Sequence, residues 1–109
     1  MAFYDMLWVT EHPRPSTGKN TIRKLRSPYD EIMPGDMVKM NIVENPELDP
    51  YLVETLEVAA VATGNGWGIL GMFAENNHGG DNPFVLTATM QELYGEDCLS
   101  EEFIAITFK

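Results

Sequence analysis

Residues 37–43 alternate along the chain. Val38, Met40 and Ile42 fall on one side, and Met37, Lys39 and Asn41 on the other. A period of two is the signature of a half-buried strand and does not fit the face of a helix. An acidic, turn-rich connection follows, Asn45-Pro46-Glu47-Leu48-Asp49-Pro50. Beyond it runs Leu-Val-Glu-Thr-Leu-Glu-Val-Ala-Ala-Val-Ala-Thr, residues 52–63. Its alanines leave a helix open, but its valines and its place across a short connection favour a hairpin with 37–43. The chain is therefore expected to build around a sheet.

Two further segments join that sheet. Residues 3–10, Phe-Tyr-Asp-Met-Leu-Trp-Val-Thr, and 102–108, Glu-Phe-Ile-Ala-Ile-Thr-Phe, are rich in aromatic and β-branched residues and read as strands. His12-Pro13-Arg14-Pro15-Ser16-Thr17-Gly18 reads as a loop, because paired prolines cannot continue a ladder. Residues 19–26 read as a short extended segment, 27–32 as a turn or one helical turn, and Pro34-Gly35 as a sharp turn. Gly64-Asn65-Gly66-Trp67-Gly68 is expected to break the chain as a turn. Residues 69–74 suit one or two helical turns. His78-Gly79-Gly80-Asp81-Asn82-Pro83 reads as a loop. Residues 85–94 suit a short amphipathic helix with Leu86, Met90 and Leu93 on its buried face and Gly95 as its stop. With 109 residues, 44% of them apolar, the chain suffices for one domain, 1–109, with one modest core. The expected class is α+β, mainly β: an open barrel of about five strands with one or two short helices.

Charge is divided unevenly. The net charge of −10 argues against broad attraction to nucleic acid. Yet residues 1–29 carry five cations (Arg14, Lys19, Arg23, Lys24, Arg26) against two carboxylates, and residues 30–109 carry two cations against fifteen. A basic island at 19–26 holds an anion locally, because distant carboxylates are screened over a Debye length of about 8 Å. The competing expectation is that these cations only pair with surface acids. The acidic remainder also suits a protein-interaction module whose partner is a basic protein. No window is apolar enough for a membrane span, and the N-terminus has no signal-like run. Cys98 is the only cysteine, which excludes an internal disulfide and fits a reducing, cytoplasmic setting. It is read as a buried or idle thiol. No metal or cofactor is expected. His12 and His78 are the only imidazoles, and neither has a closely spaced ligand partner. Neither a dinucleotide fingerprint nor a phosphate loop is present.

The segment with recognisable chemistry is Gly18-Lys19-Asn20-Thr21-Ile22-Arg23-Lys24-Leu25-Arg26. If it is extended, Lys19, Thr21 and Arg23 share one face and Asn20, Ile22 and Lys24 the other. An ammonium, a hydroxyl and a guanidinium in a row suit a phosphate or a polarised carbonyl. A desolvated Lys19 would serve as a base toward Thr21. Tyr29, Trp8 and Trp67 are candidate stacking platforms for a base, or else core and rim residues.

A glycine, a basic residue, Thr21-Ile22 and a downstream arginine, followed by Gly35-Asp36 at a strand start, resemble the ASCH domains of the PUA-like superfamily. The strand pair 37–43 and 52–63, the Glu75-bearing segment, Met90–Gly95 and Phe103–Phe108 follow in the order of small bacterial or phage members. The resemblance covers residues 16–109. It implies a PUA-like barrel with a cleft beside it, and RNA or a modified nucleoside as partner. Some small members are similar to acetylcytidine amidohydrolases, which use a lysine, a threonine and a glutamate. Carried over, these roles fall on Lys19, Thr21 and Glu75, with Arg23, Arg26 and Tyr29 as ligand-binding residues. The sequence departs from the family pattern at several places. Asn20 stands where the lysine is usual, Arg23 where a hydroxyl is expected, the acidic residue of the motif is absent, and Arg26 lies one place off the usual arginine.

Overall fold

The structure, a computed structural model, describes residues 2–9, 18–75, 77 and 82–109. Of the loops expected at 12–18 and 78–83, residues 12–17 and 78–81 lie outside these residues. Five strands form one mixed sheet: β1 (Phe3–Val9), β2 (Asn20–Lys24), β3 (Met37–Val43), β4 (Leu52–Asn65) and β5 (Glu102–Phe108). Two helices join them, α1 (Gly66–Phe73) and α2 (Pro83–Tyr94), with 3₁₀ turns at Tyr29–Glu31 and Cys98–Ser100. The strand order is β1-β3-β4-β5-β2. β1 lies parallel to β3, and every other pair is antiparallel. The fold is thus small, α+β and mainly β, a five-stranded sheet curled into a half-barrel with two helices against it. No helix among the described residues is long and apolar enough to cross a membrane.

The curl has a local cause in β4. Its first half pairs with β3 and its second with β5, and the register shifts between Val58 and Ala60. An extra residue in one strand bends and twists it, so β4 serves both halves of the sheet. The expected hairpin of 37–43 with 52–63 forms, with Val38, Met40 and Ile42 turned inward and at most 1% exposed.

Two apolar clusters hold the layers together. The concave side of the half-barrel is filled by Met6, Trp8, Val38, Met40, Ile42, Val58, Ile104, Ile106 and Phe108, closed by Ile32. The second cluster lies between sheet and helices. There Phe103 and Ala105 meet Ile69, Leu70, Leu86, Met90 and Leu99. β5 therefore buries side chains on both faces, which explains its nearly unbroken apolar run.

Two details depart from the sequence expectation. The glycine-rich segment 64–68 is no separate turn. β4 runs through Asn65, and α1 starts at Gly66 with the Asn65 side chain accepting from Gly68 N at 2.8 Å. That is an N-cap bond. Gly66 is required by packing: a Cβ there would lie 2.7 Å from the Leu99 Cα. In α2, Leu86 and Met90 are buried as expected, but Leu93 is 64% exposed. Tyr94 takes the inward place and packs edge-on against Phe103, ring centroids 5.6 Å apart. α2 stops at Gly95, whose φ of 104° suits glycine.

Candidate functional site

β2 is an edge strand that pairs with β5 along its length, with one isolated bridge from Asn20 to Asn77. Its alternation divides the basic segment between two environments. Ile22 packs into the cluster beneath the helices, and Leu25 packs against the concave core. Thr21 and Arg23 belong to the concave side, and Asn20, Ile22 and Lys24 to the helix side.

On the concave side Thr21 is fully buried. Its hydroxyl oxygen accepts from Arg23 Nε at 3.2 Å. Arg23 Nη2 donates to the carbonyl oxygen of Leu7 at 3.3 Å. Leu7 lies on β1, the opposite edge of the sheet, so the guanidinium reaches across the open seam of the half-barrel. It also lies 5.3 Å from the ring centroid of Trp8, in cation–π range. Burial lowers the Arg23 pKa, and the phenols of Tyr29 and Tyr94 partly oppose that shift. An arginine so placed stays protonated at neutral pH. Among the described residues no carboxylate forms an ion pair with it. Two of its five N–H groups are occupied, both by neutral oxygens.

The other cations of the segment fare differently. Lys24 pairs with Glu101 at 2.9 Å, as expected of a cation in an acidic protein. Lys19 is partly exposed, and its carbonyl extends the ladder by accepting from Phe108 N at 3.0 Å. Arg26 is exposed, and its carbonyl starts the first 3₁₀ turn by accepting from Tyr29 N at 2.8 Å. Tyr29 is half-buried against the concave core. Among the described residues neither Lys19 nor Arg26 forms an ion pair.

On the helix side Asn20 is 3% exposed and Asn77 2%. Asn77 Nδ2 donates to Asn20 Oδ1 at 2.9 Å, while Asn20 Nδ2 donates to the carbonyls of Phe73 and Glu75 at 3.1 and 3.3 Å. This buried amide pair fastens the end of α1 to β2. Glu75, exposed just beyond α1, therefore meets β2 through its backbone and from the helix side. Thr21 points to the other side. Of the residues expected to form a site, the structure brings together Thr21 and Arg23, with Tyr29 close enough to influence the Arg23 charge. Glu75 is held on the opposite face of the strand.

Sequence reasoning missed the Leu7 carbonyl and the Asn20–Asn77 pair. A backbone acceptor leaves no trace in side-chain pattern, and two asparagines far apart in sequence carry no pairing signal. Trp8 was legible as an aromatic in an early strand, and it is both core (2% exposed) and the surface beneath Arg23. Cys98 is a buried thiol, its pKa raised by burial and by Glu101.

Comparison of the sequence with protein-family models and with characterised proteins gives no match. Comparison of the fold does. The chain is similar to a solved structure described as the crystal structure of hypothetical protein PH0355, with a TM-score of 0.65. The likeness covers 100% of this chain and 98% of the other at 15% sequence identity. Likeness at that identity concerns the fold alone, and it extends to the whole half-barrel with its helices.

Proposed function

We propose that this chain is an ASCH/PUA-like domain that binds RNA or a nucleotide through residues 18–26. The order of its motifs resembles that family, and the half-barrel is compatible with it. The observation that carries the binding claim is Arg23: a guanidinium at the half-barrel seam, beside a buried indole, bonded among the described residues to neutral oxygens alone. A cation held without an opposite charge is suited to receive an anion. Lys19 and Arg26, which form no ion pair among the described residues, add cations from the same segment.

An amidohydrolase would need Lys19, Thr21 and Glu75 on one substrate. Glu75 approaches β2 from the side opposite Thr21, and the Asn20–Asn77 amides have no titrating proton to transfer. Binding without turnover is therefore preferred. The test is binding of single-stranded RNA at low salt by the wild type and by an Arg23→Ala, Arg26→Ala double variant. Wild-type binding that the double variant loses supports the reading. Unchanged affinity, or no binding by the wild type, rejects it. Release of product from acetylated cytidine would restore the catalytic alternative.

One observation favours a second reading, a protein-interaction module. Trp67, Met72, Phe84 and Leu93 on the two helices are 63–84% exposed within the acidic part of the chain. That reading predicts a salt-sensitive complex with a basic protein and no affinity for RNA.

A further inference from the structure

We propose that Arg23, held in place by Thr21, receives the terminal phosphate of a nucleotide, so that the site takes a nucleoside monophosphate in preference to the neutral nucleoside. The inference rests on the nucleotide-binding reading above and names the part of the ligand that the seam recognises. The argument starts from the hydrogen-bond inventory. A guanidinium offers five N–H donors and no acceptor. Arg23 commits Nε–H to Thr21 and one Nη2–H to Leu7. That leaves both Nη1–H groups and the second Nη2–H for a ligand. The Thr21 oxygen already accepts from Nε, so its own O–H is left to donate. Among the described residues no acceptor for it is found, although Thr21 is 0% exposed. The partly exposed Arg23 thus offers three uncommitted N–H donors around one fixed positive charge.

A partner that satisfies donors alone has several lone pairs and no hydrogens to place. A dianionic phosphomonoester fits that description. A ribose hydroxyl or an exocyclic amine is neutral and gives the guanidinium neither an opposite charge nor a pair of acceptor oxygens. The Trp8 ring, 5.3 Å from the guanidinium, and the bonds to Thr21 and Leu7 limit the freedom of Arg23, which favours the forked contact that arginine makes with phosphate. Lys19 and Arg26, on the same segment, form no ion pair among the described residues and so retain their positive charge. Burial disfavours the charged form of Arg23, and a bound dianion offsets that cost.

The test uses Trp8 as reporter. The chain has two tryptophans. Trp67 is 63% exposed, so a Trp67→Phe background leaves the indole beneath Arg23 as the sole tryptophan signal. In that background, cytidine, cytidine 5′-monophosphate, inorganic phosphate and a short RNA with a 5′-hydroxyl are titrated at low salt. The monophosphate is expected to bind about tenfold or more tightly than cytidine, the scale of a charge-assisted contact. It is also expected to bind more tightly than inorganic phosphate. Arg23→Ala is expected to remove the difference between monophosphate and nucleoside, and Arg23→Lys to restore part of it by supplying charge without the fork. A role in folding alone would weaken all probes together, and that outcome overturns the proposal. Equal binding of nucleoside and monophosphate, or RNA binding untouched by Arg23→Ala, overturns the phosphate assignment while the RNA-binding reading stands. Phosphate binding as tightly as the monophosphate overturns the nucleotide part. If no probe binds, RNA included, both readings fall together.

Discussion

On the helix side of β2, Lys24 sits 2.9 Å from the Glu101 carboxylate. On the concave side, one residue earlier, Arg23 bonds among the described residues only to a hydroxyl and a backbone carbonyl. Two adjacent cations of one basic run thus meet opposite fates, and the pleat of the strand decides which. The helix side faces the acidic remainder of the chain and neutralises its cation. The concave side is built from apolar side chains, and among the described residues no carboxylate there pairs with Arg23. A sequence-level basic patch is therefore a poor unit of analysis once the segment is a strand. The useful unit is the face.

The largest test of this contrast concerns what the helix side is for. If its polar residues are structural, Asn20→Ala should destabilise the fold by about 2–4 kcal/mol. It removes the donor to two carbonyls and the acceptor of Asn77 in a site that water does not reach. Urea unfolding measures it. A loss below about 0.5 kcal/mol would mean that the amide pair does not fasten α1 to the strand.

Thr21→Val probes the concave face with little change of shape. It keeps the packing of a fully buried side chain but leaves Arg23 Nε–H without its acceptor. A cost of about 1–2 kcal/mol is expected in urea unfolding, together with weaker binding of cytidine 5′-monophosphate. Full retention of both would show that the hydroxyl does not orient Arg23.

Much of this arrangement was legible beforehand. Period-two patterning in Val38, Met40 and Ile42 gave β3 and its inward face, and the same logic put Thr21 and Arg23 together on β2. What escaped depends on contacts between distant segments. The seam contact of Arg23 with Leu7 exists because the sheet curls until its two edges approach, and curvature is set by the shift in β4 near Val58. Gly66 reads as a turn residue in isolation, yet it opens a helix because Leu99 leaves no space for a Cβ. Leu93 has the right spacing for burial, but the inward position belongs to Tyr94, whose partner Phe103 lies on another element. The side of β2 on which Glu75 would arrive was equally out of reach, since the Asn20 and Asn77 bonds decide it.

Asp36 extends the comparison to an anion bonded by neutral groups. Its two oxygens accept from Ala2 N and Met33 N, both at 3.0 Å, and these bonds hold its pKa below the ordinary carboxylate value. A depressed folded pKa means that the ionised form stabilises the fold. That contribution is complete above the unfolded pKa of about 3.9 and disappears as pH falls through the lower folded value. Acid unfolding should therefore begin below about pH 4, and Asp36→Asn should flatten the curve in that window. An unchanged curve would show that the two backbone bonds do not distinguish the charged carboxylate from an amide.

The smallest effect belongs to the ion pair itself. Lys24 and Glu101 remain 32% and 49% exposed at their side chains, so solvent screens their attraction. Lys24→Ala should cost no more than about 1 kcal/mol, and less as salt rises. Its sharper value is as a control on binding. Lys24 is adjacent to Arg23 and carries the same formal charge, so a patch of diffuse positive potential would miss either residue equally. Recognition by face would not. Lys24→Ala is then expected to leave affinity for cytidine 5′-monophosphate within about twofold, while Arg23→Ala removes the preference for phosphate altogether. Equal losses in the two variants would return the basic run to a single electrostatic surface, with the pleat of β2 irrelevant to what it binds.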